Sequence, residues 1–267
     1  MQPYLQKGML LPFWKLRHKT KDERFFILTL FAIAMEAEGK VVDVENTVLN
    51  VDLPVGLPPK HYGALFEKFQ NYFKYRGKQV FTYKGREYTI KINDVVAFPQ
   101  DYTVAMTIFP QIQGYNKVVT VDIGGFTLDY LLLRNGSPEL SVCDSLEKGA
   151  ITLYNKISSR ANSEYDILLD EPDIDSIIKG EKTDYDTDIV SLVQEMTKTY
   201  VDDLLGTLRE LGLDLKNGCV VFIGGGALLL REYLEKSGKV GKCILIEDIC
   251  ANAKGYELLY RIQKKGR

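Results

Sequence analysis

The sequence predicts an α/β fold, and three observations carry that prediction. Segments rich in β-branched residues exchange along the chain with segments whose apolar residues recur every three or four positions. From Val118 to Asp144, alternating segments broken by Gly-Gly and Asn-Gly read as a meander of strands. The continuous apolar run CVVFI (219–223), followed by three glycines and a helical pattern, reads as a buried parallel strand that turns into a helix. The chain has 267 residues, 45% hydrophobic and 26% charged, which is the profile of a soluble globular protein of two modest domains or one large one.

Each element has a local reason. Thr20 and Glu23 make a capping box for a helix through DERFFILTLFAIAMEAE, stopped by Gly39. That helix is apolar on most of its surface and is expected to be deeply packed. VVDVENTVLNVDLPVG reads as strand, and Pro58-Pro59 opens the helix KHYGALFEKFQNYF. KQVFTY and REYTIKI alternate around Lys84-Gly85 and predict a β-hairpin. VVTVDI, FTLDYLLL and a strand through LSVCD form the meander, joined by the glycine pair and by Asn135-Gly136. Helices follow from Glu147 through AITLYNKISSRA and in EPDIDSIIKGE, with a polar break at 185–188. In 188–213, Ile189, Leu192, Val193, Met196, Tyr200, Leu204 and Leu208 hold the period of an amphipathic helix. After CVVFI and its glycines come the helix ALLLREYLEKSG, one more buried strand in KCILIED, and a closing helix in ANAKGYELLYRIQKK.

Composition excludes several function classes. Thirty-four basic and 36 acidic residues leave a net charge of −2, so no general field draws the chain to nucleic acid or anionic lipid. Cys143, Cys219, Cys243 and Cys250 show no CxxC pairing and lie far in sequence from His18 and His61, which reads as buried free thiols rather than a zinc site. The longest apolar-rich run, Phe25 to Met35, falls short of the roughly 20 residues of a membrane span. The N-terminal segment lacks the pattern of a signal peptide, and the expected location is cytoplasmic, away from any membrane.

Two glycine loops carry the chemistry. DIGG between alternating strands is on its own an ordinary hairpin turn. Here Asp122 precedes the glycines while Thr127 and Asp129 follow, so a carboxylate, a hydroxyl and bare backbone N–H groups gather at one rim. Such N–H groups suit phosphate oxygens. A carboxylate beside a phosphate requires a divalent cation between them, so Asp122 predicts Mg²⁺, held through water, and a nucleotide. The second loop, IGGGA, is a strand-to-helix turn where missing side chains and a helix N-terminus favour an anionic ligand. It is neither GxxxxGK[ST] nor GxGxxG.

Taken together, DIGGFTLD resembles the second phosphate motif, and IGGGALLL the adenosine motif, of the actin, sugar-kinase and chaperone ATPase superfamily. KTKDERFFILTLFAIAMEAE, VGLPPKHYGALFEKF, FPQDYTVAM, EKGAITLYNKI and EPDIDSIIKGE narrow the resemblance to the ParM/StbA-type bacterial actins, over roughly residues 18–260. The resemblance implies an actin-like, ribonuclease H-like two-domain ATPase fold, with domain I in 1–117 and 250–267 and domain II in 118–249. It implies Asp122, Gly124, Gly125 and Thr127 as the phosphate and magnesium loop, and Gly224, Gly225, Gly226 and Ala227 as the adenosine loop. By the same resemblance Gly149 lies near the ribose and Gln100 orients the attacking water, the alternative being a surface-loop glutamine. Phe126 departs from the small residue usual after the glycine pair.

The superfamily's first phosphate loop, DxGxxxxK-like, has no counterpart before Asp122, and MQPYLQKGMLLPFWKLRH reads as the tail of an N-terminal region, which leaves domain I incomplete. The expected function is an ATP- and Mg²⁺-dependent actin-like ATPase that polymerises for plasmid or DNA segregation and reaches DNA through an adaptor protein. A truncated actin fold with weak nucleotide binding and no hydrolysis, and a small-molecule kinase of the same superfamily, are the alternatives.

Overall fold

The computed structural model describes residues 23–41, 43–74, 76–248 and 250–266. The predicted capping residue Thr20 and the segment before it lie outside the described residues. The chain separates into two compact units: one comprises the chain up to Leu57, His61–Phe98 and the end from Tyr260, the other Pro58–Lys60 and Pro99–Leu259.

In the first unit, α1 (Glu23–Ala37), β1 (Val48–Leu57), α2 (Pro59–Lys74), β2 (Lys78–Tyr83) and β3 (Arg86–Pro99) follow the predicted order, with Pro59 as the first residue of α2. The strands form a sheet in the order β1-β3-β2. β2 and β3 pair antiparallel up to Tyr83↔Arg86, across Lys84 and Gly85 with φ of 49° and 76°, the positive values a tight hairpin turn requires. β3 runs beyond the predicted REYTIKI to Pro99, where a second alternation, Val95, Ala97 and Pro99, is buried after the shift at Asn93-Asp94.

The expectation for α1 is corrected. Only Phe26, Leu30 and Ala34 are buried, while Leu28 and Met35 are each 60% exposed. A helix laid against one layer buries one stripe, here the four-residue repeat 26–30–34, whatever the hydrophobicity of its other faces. That stripe meets α2: the Tyr72 hydroxyl accepts from the Phe26 backbone N–H at 3.0 Å. The Arg76 guanidinium lies 4.2 Å from the Phe26 ring centre and pairs with Glu23 at 2.5 Å.

The second unit adds α3 (Tyr102–Thr107), α4 (Phe109–Ile112), β4 (Lys117–Ile123), β5 (Leu128–Arg134), β6 (Ser137–Leu146), α5 (Ala150–Tyr165), α6 (Glu171–Ile178), α7 (Thr187–Glu210), β7 (Cys219–Ile223), α8 (Gly225–Leu229), α9 (Arg231–Lys236) and β8 (Lys242–Leu245). α10 (Ala251–Lys265) begins in this unit. The sheet order is β6-β5-β4-β7-β8. The meander is antiparallel, whereas β7 pairs parallel with β4 and β8 parallel with β7.

Alternation sorts the sheet into two cores. Val119, Val121, Ile123, Val220 and Phe222 pack with α5, α6, α7, α8 and α9. Val118, Cys219, Val221 and Ile223 pack with α3, α4 and the start of α10. Central strands covered on both faces therefore read as continuous apolar runs.

Four local expectations differ from the structure. α3 and α4 occupy a stretch for which no element was predicted. α7 starts inside the expected polar break, with Asp186 at its N-cap. The helix after IGGGA breaks at Leu230 into α8 and α9. β8 is half-buried rather than buried, since it is the edge of the sheet. All four cysteines are free, and of them only Cys219 is buried.

Phe222, fully buried in β7, is expected to cost about 3–5 kcal/mol when changed to alanine, measured by urea unfolding. Leu28→Gln on the open face of α1 should change stability by no more than about 0.5 kcal/mol in the same assay.

Candidate functional site

Parallel pairing of β4 with β7 sets Asp122 opposite Ile223, so the two glycine loops leave the sheet from the C-terminal ends of neighbouring strands. Sequence separates them by about a hundred residues, and one ladder brings them together.

The first loop is a tight turn closed by the Gly124 N–H donating to the Thr127 carbonyl at 2.9 Å. Its other carbonyls face the start of α5. Gly149, Ala150 and Ile151 donate to Phe126, Gly124 and Gly125 at 3.1, 3.0 and 2.9 Å. The open N-terminal donors of α5 are thus satisfied by the loop, which is held in place by them. A Cβ on Gly149 would overlap the backbone of Gly125 and Phe126, so this glycine allows the loop to dock. The N–H groups of Gly125 and Phe126 have no acceptor among the described residues, and both residues are exposed. Thr127 Oγ1 donates to Asp129 Oδ2 at 3.0 Å.

In the second loop Gly224 has φ of 91° and presses so close to the first loop's strand that a Cβ would strike Asp122 Oδ1 and the Ile123 carbonyl. Gly226 lies against Ile123 in the same way, and Ala227 is buried behind it. Gly225 differs: nothing lies within 4 Å of where its side chain would be. It lines a recess of about 170 Å³ with Asp122, Gly224, Glu247, Asp248 and Asn252. That volume is below the roughly 300 Å³ at which pockets enclose a small molecule, so the recess has room for only part of one. α8 has five residues, so the turn offers bare backbone rather than a long helix dipole. A hollow of about 890 Å³ between α6, α7 and α9 contains none of the predicted site residues.

Asp122 and Asp129 are direct cross-strand partners on the α3 side of the sheet. Burial, and Asp129 beside it, push the Asp122 carboxyl up to about 6. Gln100 directly follows β3 and is half-buried, and the Tyr256 hydroxyl of α10 lies near its side chain. That hydroxyl donates to Asn252 Oδ1 at 3.4 Å.

Sequence reading missed Asp101, Asn252 and Tyr256. Asp101, next to Gln100, is 1% exposed, and burial with Asp122 and Asp129 close by raises its carboxyl well above the carboxylate range. Its only signal in the sequence is its place in FPQDY. Among the described residues, no three of His, Cys, Asp and Glu converge as a metal cage.

With this geometry in view, two family models match the chain: Actin like proteins N terminal domain over residues 11–102, and Archaeal actin homologue MreB-like, C-terminal, over residues 120–236. The chain has an actin-like fold. Its fold agrees with Ta0583, an archaeal actin homologue, at a TM-score of 0.67 and 18% identity, over 88% of this chain and 75% of that one. Bacillus thuringiensis ParM, solved with ATP, gives 0.63 and 14%, over 99% and 78%. The Alp12 filament structure gives 0.61 and 17%, over 87% and 74%. No curated protein matches the sequence closely enough to count as a relative. No helix among the described residues is long and apolar enough to cross a membrane.

Two outcomes test the site of this actin-like chain. Gly224→Ala, which places a methyl group on Asp122 at a positive φ, should lower stability by about 1–3 kcal/mol in thermal unfolding. Asp122→Asn should stabilise the ligand-free protein. Because the folded pKa of Asp122 lies above that of the unfolded chain, ionisation removes stability as pH rises between about 4 and 6. The gain in Asp122→Asn should therefore grow across that window and level off near pH 7 at up to about 3 kcal/mol.

Proposed function

We propose that this actin-like chain binds ATP with Mg²⁺ at the rim formed by β4 and β7, hydrolyses it, and assembles with copies of itself into filaments for plasmid or DNA segregation. The observation that carries the reading is the meeting of the two glycine loops, with the Asp122 carboxylate against Gly224.

The unsatisfied N–H groups of Gly125 and Phe126 offer hydrogen bonds to phosphate oxygens, with Thr127 beside them. The open space at Gly225, between Gly224, Gly226 and Ala227, leaves room for the adenosine end in the recess. Gly149 serves the nucleotide by fixing the phosphate loop on α5.

The donor set fits magnesium. Asp122 and Asp129 face each other without a described cationic partner on Asp122, and Mg²⁺ is commonly held by one or two carboxylates with waters retained. When bound, Mg²⁺ neutralises phosphate charge next to Asp122. Gln100, half-buried and next in the chain to Asp101, would orient a water for attack, a role that calls for position rather than basicity.

Self-association is supported by the likeness to the Alp12 filament, and nucleotide binding by the likeness to ParM solved with ATP. With a net charge of −2, the protein reaches DNA through an adaptor protein rather than by direct contact.

Isothermal titration of the chain with Mg-ATP should show micromolar binding that Asp122→Ala abolishes. Light scattering should then rise only when nucleotide is added to the wild type. Absence of heat with Mg-ATP would overturn the nucleotide reading, and binding without assembly would overturn the filament reading alone.

A further inference from the structure

Asp101 is the most deeply buried carboxylate at the site, and its oxygen Oδ2 is buried with no hydrogen-bond partner. Its backbone is the centre of a γ-turn: the Tyr102 N–H donates to the Gln100 carbonyl at 2.6 Å, with φ of 64° and ψ of −47° at Asp101. This is a rare conformation for a residue with a side chain, and glycine would hold the same turn without strain. The Asp101 N–H donates to Asn252 Oδ1 at 3.4 Å, which also accepts from Thr103 Oγ1 at 3.3 Å and from the Tyr256 hydroxyl at 3.4 Å. Asn252 and Gly224 also line the recess that Asp122 enters.

Asp101 lies within electrostatic reach of Asp122 and Asp129. Neither Asp101 nor Asp122 has a lysine, arginine or histidine partner among the described residues. Buried carboxylates are otherwise paired, hydrogen-bonded or bound to metal. An orphaned oxygen beside a second uncompensated carboxylate leaves a place for positive charge from outside the chain.

We propose that Asp101 is a second carboxylate for the divalent cation that accompanies the nucleotide, acting with Asp122 and with retained water. This rests on the nucleotide reading above and adds to it a residue that the glycine loops do not contain. Two carboxylates with water agree with the absence of a three-ligand cage among the described residues and with the coordination habit of magnesium. It also gives the costly backbone at Asp101 a purpose, since a carboxylate is carried where the turn alone calls for glycine.

The test uses Mn²⁺ as the probe, followed by electron paramagnetic resonance on the ADP-loaded chain, with ADP affinity measured separately in EDTA. Asp101→Gly suits the turn and Asp101→Asn keeps the side-chain volume. Both should weaken Mn²⁺ binding at least tenfold while metal-free ADP affinity and melting temperature hold or rise. Mn²⁺ affinity equal to wild type in both variants, with Asp122→Ala losing it, overturns the role of Asp101 and leaves the nucleotide reading standing. A wild type that binds ADP but takes up no Mn²⁺ when the metal is supplied overturns the cation assignment to both aspartates. No ADP binding by the wild type overturns the inference together with the reading on which it rests.

Discussion

The register between β4 and β7 is the constraint on which the site depends. Asp122 faces Ile223 across the ladder and shares the α3 side of the sheet with Asp129. Side chains alternate along a strand, so a slip of one residue would turn Asp122 into the core beneath α5 and α7. That slip is blocked from both faces. Val119, Val121 and Phe222 belong to one core and Val118, Val221 and Ile223 to the other, and exchanging them would mismatch both. The same closeness explains why Gly224 and Gly226 carry no side chain: the β7 turn is pressed onto Asp122 and Ile123.

The rim formed by this ladder gathers buried carboxylates, whereas the cores on both faces of the sheet are apolar. Asp101, Asp122 and Asp129 crowd within partly or fully buried space, and burial with the neighbouring carboxylates disfavours the charged form of Asp101 and Asp122. Asp101 adds a strained turn. The frame around the carboxylates is tied: the N-terminus of α5 donates three hydrogen bonds to the loop carbonyls, and Asn252 Oδ1 accepts from Asp101, Thr103 and Tyr256. Local destabilisation inside a rigid frame is the pattern of a site organised for a ligand rather than for the free protein.

Much of the fold was legible because its signals are local. Lys84-Gly85 and Asn135-Gly136 mark hairpins by the positive φ they tolerate, and α7 shows its buried face through Ile189, Leu192, Val193, Tyr200, Leu204 and Leu208. The misses share one cause. The exposed side of α1, the half-buried edge strand β8 and the break at Leu230 depend on what lies across from each segment, which periodicity does not encode. Asp101 was missed for the same reason: burial, φ of 64° and an orphaned oxygen follow from α10 and the sheet around it, not from the letters FPQDY.

By itself the sequence determined the α/β class, the order of nearly all elements and the residues of both glycine loops, since each rests on composition, period or turn chemistry within a short window. Only the tertiary structure decided that those loops meet, that Gly149 serves the first loop as a docking face, and that a third aspartate, Asp101, is buried near the pair on β4 and β5. These are contacts between residues far apart in the chain. Strand pairing and close backbone approach select them, and neither leaves a mark on the sequence that can be read one segment at a time.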